Sequence, residues 1–368
     1  MENIMTGRER ILASLSGQRP DRVPLYIHAI NEVTIKGITR LMNPSMPLPD
    51  KDNVYEMNEQ EVMLLLNAFF AIHEYYGVDG LTCFDLLNEK PVDRDHVIDQ
   101  FGVTYQKSIY GLPVPVIHPV LNATDFNNYT PPKPTLEELQ LLHFAKRHFG
   151  DEKALFWMMR GTFVRATRLL GLENFLMTIY DQPEFIHHVC QMITDYNLVK
   201  IDMLKQSGLD VLIVEDDIAD KNRPFISTEH FREFINPYNR QLVEKAHALG
   251  LKVVRHSDGN VWPLLDTLVE TGYDGLNPLE PQAGMDLVKV KEYTKGNLCL
   301  LGNIDCQALL SAGSKEDVYQ AVKTAIETAG QDGGLIICSS NSLHPGVKPE
   351  NCIAMFEAAK QYGLYKEN

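Results

Sequence analysis

The chain has 368 residues, 44% of them hydrophobic and 23% charged, ordinary proportions for a globular protein with a sizeable core. Its formal net charge is −15, from 34 basic and 49 acidic residues, and no basic stripe interrupts the acidic surplus. That excludes nucleic acid as the main partner, because phosphate-backbone binding needs clustered Lys and Arg.

Arg8 to Leu15 reads as a short helix closed by Gly17, an N-terminal helical extension. Leu25 to His28 is the first strand. Glu56 to Tyr76 carries apolar residues at helical spacing and stops at Gly77. Gly80 to Asp85 is the next buried strand. The segment 96–134 departs from this rhythm, with Val/Tyr/Ile pieces, six prolines (113, 115, 119, 131, 132 and 134) and Tyr105 and Tyr110. It reads as a β-hairpin and an irregular excursion that lids one face, its tyrosines lining an apolar or aromatic pocket.

Beyond it, helices and strands alternate. Strands are expected at 154–159, 210–214, 251–255, 274–277, 298–301 and 334–337. Helices are expected at 136–149, 175–207 with a break at Pro183, 227–249, 261–271, 287–293, 315–329 and 349–362. Largely apolar strands alternating with helices imply a parallel sheet. About eight strands favour a closed α/β barrel of the (β/α)8 TIM type over an open sheet, with residues 1–368 as one domain. The absence of G-x-G-x-x-G and G-x-x-x-x-G-K-[ST] weakens nucleotide-binding readings.

Six cysteines stand apart with no C-x-x-C pair, which fits a reduced setting rather than a disulfide framework. The polar stretch Met1 to Arg10 and the lack of an apolar run of bilayer length imply a cytoplasmic protein with no membrane partner.

Polar groups stand at or just past the end of each expected strand. They are His28 with Asn31 and Glu32, Asp85, Arg160, the run Glu215-Asp216-Asp217, His256 with Asp258, Asn277 with Glu280, Asn303 with Asp305, and Asn341 with His344. A single strand-end His is often a structural hydrogen-bonding group, and single acids often cap the next helix. Eight coincident cases would ring one axis, at the end of a barrel where active sites lie.

Two uses compete for such a ring. One is a metal site, with His256, Asp258 and Asp216 or Asp217 binding zinc or another divalent ion. The competing reading has Asp258 orient His256 or cap the helix near Val261. The other use is proton chemistry by Asp85, His28 or His344. Tyr26, Asn31, Arg160 and His344 are candidate substrate contacts. Cys338, between apolar residues and Ser-Ser with no adjacent cation, reads as a small buried residue rather than a nucleophile.

Several motifs then resemble one family. Arg8-Glu9-Arg10, Arg22-Val23-Pro24, Phe231-Arg232-Glu233-Phe234-Ile235 with Pro237-Tyr238, and His256-Ser257-Asp258-Gly259-Asn260 stand in order. Gly302-Asn303-Ile304-Asp305 and His344-Pro345-Gly346-Val347 complete the set. Together they resemble the uroporphyrinogen decarboxylase superfamily over nearly the whole chain. The resemblance implies a TIM-type barrel and one of two activities: cofactor-free decarboxylation, or methyl transfer with a corrinoid carried by a partner protein.

The decarboxylases hold substrate carboxylates with arginines after the first Val-Pro. Here that stretch, Leu25 to Asn31, has none. Asp85 resembles the decarboxylase aspartate, and Asn341 stands where those enzymes carry a histidine. The zinc methyltransferases carry His-x-Cys and a later Cys. Here His256-x-Asp258 matches the first, with Asp for Cys, and Asn341 falls at the second.

The resemblance therefore implies a harder, oxygen-rich metal site suited to polarising an ether oxygen. It points to a corrinoid-dependent methyltransferase acting on a small methylated donor such as a phenyl methyl ether, as in anaerobic O-demethylase systems. The expected site comprises Asp85, His256, His28 and Asn341, with a homodimer as one assembly open to the chain. A decarboxylase of a smaller acid is the alternative, and a non-catalytic homologue a third reading.

Overall fold

A computed structural model describes residues 4–85, 89–108 and 113–365. Twelve strands occur among them. The first six are β1 (Tyr26–Ile27), β2 (Gly80–Cys83), β3 (Glu89–Pro91), β4 (His96–Asp99), β5 (Thr104–Gln106) and β6 (Val114–Ile117). The rest are β7 (Ala154–Arg160), β8 (Val211–Glu215), β9 (Lys252–His256), β10 (Gly275–Asn277), β11 (Cys299–Ile304) and β12 (Leu335–Ser339).

Eight of these form one sheet in the order β1-β2-β7-β8-β9-β10-β11-β12. Leu25 bridges Ile337 in parallel, so the first and last strands meet. This is the (β/α)8 barrel.

The chain divides into two compact units. The first comprises Met1–Thr82, Phe149–Ala154 and Gly275–Asn368. It holds β10-β11-β12 and β1-β2. The N-terminal helix Gly7–Leu15 begins with a capping box between Thr6 and Glu9. Behind it, Arg10 and Arg22 converge on the buried Asp79, with Nη–Oδ distances of 2.8–3.1 Å, and Asp79 also accepts the Leu25 amide. The opening motif that suggested the family is therefore structural: two arginines satisfy one buried acid and fix the start of β1. An unanticipated helix, Glu32–Met42, follows β1.

The second unit comprises Cys83–His148 and Leu155–Asp274. Its parallel arc β7-β8-β9 is fully apolar in the middle, with Phe156, Trp157, Val211, Leu212, Ile213, Val253 and Val254 buried. The register places Arg160 beside Glu215 and Glu215 beside His256.

The expected hairpin in 96–134 is larger than read. β3 to β6 form a four-stranded antiparallel sheet that includes Glu89–Pro91, with Pro91 on the edge strand, where a missing N–H is tolerated. Tyr105 is buried in that sheet; Tyr110 lies outside the described residues.

A helix at Thr162–Leu170, bracketed by Gly161 and Gly171, was not anticipated. The helix expected over 175–207 is two, Leu172–Asp181 and Pro183–Gln206. The break at Pro183 is real, with proline opening the second helix. No helix among the described residues is long and apolar enough to cross a membrane.

Candidate metal centre

Strand alternation determines which side chains meet. Along a strand, successive residues face opposite sides. Glu215, the last residue of β8, and Asp217 just beyond it turn one way, and Asp216 between them turns the other. The same holds for Arg255 and His256 on β9.

Asp216 and Arg255 therefore meet on one side. Arg255 Nη1 donates to Asp216 Oδ2 at 2.8 Å, Asn239 Nδ2 donates to the same oxygen at 2.8 Å, and the Val164 amide donates to Oδ1 at 2.8 Å. Both residues of the pair are fully buried. This corrects the expectation that Asp216 binds metal: its carboxylate ties β8, β9 and two helices together, and of the two acids it is Asp217 that stands with His256 and Asp258.

On the other side, His256 Nε2 lies 3.7 Å from Asp217 Oδ1 and 3.6 Å from Asp258 Oδ1. One donor atom from each of these residues falls within 4.8 Å of the others. His256 is 4% exposed, whereas Asp217 and Asp258 are half-buried.

The loop after β9 holds these acids in place. The Asp258 amide donates to Asp217 Oδ1 at 3.1 Å. Ser257 Oγ accepts from the Ile218 amide and donates to the Asp258 carbonyl. Gly259 has φ +81°, and a Cβ there would lie 2.3 Å from the Asp220 carbonyl oxygen. Only glycine fits that turn, which accounts for the His-Ser-Asp-Gly-Asn motif. One neutral imidazole and two carboxylates are a donor set suited to zinc or a similar divalent ion, with coordination positions left for substrate or water.

Arg160, Glu215 and His256 stand at one level of the arc. Arg160 Nη1 donates to both Glu215 oxygens, at 3.0 and 3.1 Å. Burial pushes the Glu215 carboxyl up, but Arg160, Arg168 and His256 outweigh it and hold the group below its ordinary value. Arg165 pairs with the buried Asp99 at 2.8 Å and lies over Phe101. Tyr105 donates to the same Asp99 oxygen at 3.0 Å.

Arg165, Arg168 and Asp99 escaped the sequence reading. The signal was present: Thr162 to Leu170 has two arginines three apart on an otherwise apolar helical face, between two glycines.

Asp85 lies half-buried just beyond β2, in the same unit and outside the three-residue group. The remaining expected site residues belong to the first unit. His28 is buried, its ring edge-on to Tyr26.

One expected substrate contact there, Tyr26, is corrected. Tyr26 is 0% exposed and its hydroxyl bonds Thr82 Oγ1 at 2.5 Å, so it joins β1 to β2 with no surface left for a ligand. Asn31 caps the helix Glu32–Met42, its Oδ1 accepting the Val33 amide at 2.9 Å.

Asn341 Oδ1 accepts the Ser342 amide and His344 Nδ1 accepts the Gly346 amide, both local turn contacts. Cys338 is buried against Asn277, and burial pushes its thiol up, as a packing residue requires.

Residues 6–362 match the family described as Uroporphyrinogen decarboxylase (URO-D). A methylcobamide:CoM methyltransferase of Methanosarcina acetivorans is 24% identical over 228 residues, 61% of this chain and 63% of that protein. A uroporphyrinogen decarboxylase of Methylococcus capsulatus is 20% identical over 258 residues, 67% of this chain and 71% of that one. The chain thus spans under two thirds of the methyltransferase it matches. Among solved structures, a methyltransferase from Methanosarcina mazei shares the fold with a TM-score of 0.77 at 20% identity, covering 97% of this chain and 99% of that one.

Proposed function

Because the chain belongs to the uroporphyrinogen decarboxylase family, we propose that it is a methyltransferase that moves a methyl group from a small methylated donor to the cobalt of a partner corrinoid protein. The observation that carries this reading is the meeting of Asp217, His256 and Asp258 within 4.8 Å. A site for a divalent ion has no part in cofactor-free decarboxylation. The similarity to methylcobamide:CoM methyltransferases supports the same branch, as does the absence of arginine between Leu25 and Asn31.

Asp217, His256 and Asp258 would hold the ion. The chemistry such an ion supplies is Lewis-acid stabilisation of the oxygen that loses its methyl group. The chain's own residues prepare the position. Asp258 lends its amide to orient the Asp217 carboxylate. Glu215 stays anionic beside Arg160 and favours positive charge near His256. Arg255 and Asp216, behind the strands, keep β8 and β9 in register. An oxygen-rich donor set favours an ether oxygen over a thiol, so a phenyl methyl ether is the donor class proposed.

Decarboxylation of a small acid is the second reading. It is favoured by Asp85, which stands after β2 where the family's decarboxylases carry their aspartate.

The deciding experiment mixes the protein with a reduced corrinoid protein and methoxylated aromatics, and follows methylcobalamin by its absorbance. Methylcobalamin formation that requires added zinc and is lost in H256A supports the proposal. Carbon dioxide release from a small acid without corrinoid would select the decarboxylase instead.

A further inference from the structure

Three guanidinium groups act on Glu215, the neighbour of His256 across β8 and β9, and two of them have a carboxylate directly bonded to them. Arg160 is bound by Glu215 and Arg165 by Asp99. Arg168, one helical turn after Arg165, pairs with no carboxylate among the described residues. Its guanidinium lies over the Tyr105 ring, 5.5 Å from Cζ to the centroid. Tyr105 is 1% exposed and its hydroxyl already donates to Asp99.

Arg168 itself is half-buried, and the Arg160 side chain is 19% exposed. Both are withdrawn from water yet reachable. The guanidinium and phenol contacts therefore leave Arg168 with no carboxylate hydrogen-bonded to it among the described residues, in a place where solvent screens charge poorly and where Glu215 acts on it, and Glu89 on Arg160, only through space. Burial first, and then the neighbouring Arg160, hold Arg168 below its ordinary value against the opposing pull of Glu215 and Tyr105.

The acids that hydrogen-bond within this cluster are already engaged by other donors. Glu215 gives both oxygens to Arg160. Asp99 is taken up by Arg165, Tyr105 and the amides of Phe101 and Val103. Asp217 and Asp258 stand with His256 in the candidate metal centre.

We propose that Arg168, supported by Arg160 and Tyr105, binds the carboxylate of an anionic substrate whose methylated end reaches the Asp217–His256–Asp258 centre. The proposal rests on the methyltransferase reading and deepens it by assigning the donor a negative charge. A guanidinium fork recognises a carboxylate through two parallel hydrogen bonds, and the anion would give Arg168 the directly bonded carboxylate that Glu215 and Asp99 give to Arg160 and Arg165. The stretch after the first strand has no arginine, and Arg168 stands instead on the helix Thr162–Leu170.

The test is calorimetric titration of the full chain, with zinc present, using two acids and their neutral amides: methoxyacetate against methoxyacetamide, and 4-methoxybenzoate against 4-methoxybenzamide. The expected result is tighter binding of at least one acid than of its amide, by about tenfold or more. R168Q should abolish that preference. R168K, which keeps the charge but loses the fork, should retain a weakened preference and guards against loss of fold in R168Q. Equal behaviour of acid and amide in the unsubstituted protein, absence of binding included, would overturn the proposal. So would an unweakened preference in both variants.

No methyl transfer is needed for this readout. Lost acid preference with intact methyl transfer removes the anion site alone, and intact preference without methyl transfer removes the methyltransferase reading alone.

Discussion

Arg255 Nη1 and Asp216 Oδ2 meet at 2.8 Å in a fully buried pair, each one residue along the chain from a member of the candidate metal centre. Consecutive acids on one strand end therefore do opposite work, and substitution should separate them. D216N leaves Arg255 buried without a countercharge and should cost about 3–5 kcal/mol of stability in urea unfolding. D217N, at a half-buried position, should cost less than about 1 kcal/mol while weakening zinc binding by about tenfold or more. Equal stability losses in the two variants would contradict the division of roles.

Gly161 is a second consequence of that buried acid. A Cβ at position 161 would stand 2.4 Å from Asp216 Cγ. The backbone there is extended, so the cost is steric rather than conformational. G161A should destabilise the protein by about 1–3 kcal/mol through overpacking. A thermal melt of G161A unchanged from the parent would show that Asp216 has room to move.

His73 sets part of the response to acid. It is fully buried in the helix Glu59–Tyr75, with Nδ1 bonded to the Phe69 carbonyl at 2.8 Å. Burial, with a smaller contribution from Lys153, lowers its pKa from 6.5 to about 3. The unfolded chain therefore binds a proton between these values that the folded chain refuses. The corresponding stability is fully present above pH 6.5 and falls as the pH drops toward 3, by up to about 1.4 kcal/mol per pH unit. H73L, measured by denaturant unfolding from pH 7 to 4, should flatten that slope. A slope identical to the parent's would place the acid sensitivity elsewhere.

Glu215 acts at lower pH. Its carboxyl is held below the ordinary 4.5 by Arg160, Arg168 and His256 against the opposing effect of burial. A depressed carboxylate contributes stability that is complete above the unfolded value and is lost as the pH falls through the folded one. E215Q should therefore be destabilised most at neutral pH and approach the parent as the pH falls below 4.5. A stability deficit independent of pH would mean that the Arg160–Glu215 pair contributes by packing alone.

Much of this protein was legible in one dimension. The period of apolar residues, the glycines after helices and the proline at 183 mark elements whose causes are local, and the barrel follows from their alternation. His256-Ser257-Asp258-Gly259-Asn260 was legible as a site because a strand, an imidazole, an acid and a left-handed glycine turn lie within a few residues.

What stayed hidden depended on partners far away in sequence. Glu215, Asp216 and Asp217 are chemically alike as text, and Tyr26 and Asn31 read as open polar groups. Only the register of Arg160 beside Glu215 beside His256 sent Asp216 to Arg255 and Asp217 to His256. Thr82 and the Val33 amide took up the other two. The same holds for Arg168: its guanidinium lacks a directly bonded carboxylate among the described residues only because Arg160 and Arg165 have claimed Glu215 and Asp99. Local sequence determines backbone geometry through short-range sterics and hydrogen bonds, whereas the charge state and company of a side chain are set by which segments the fold packs around it.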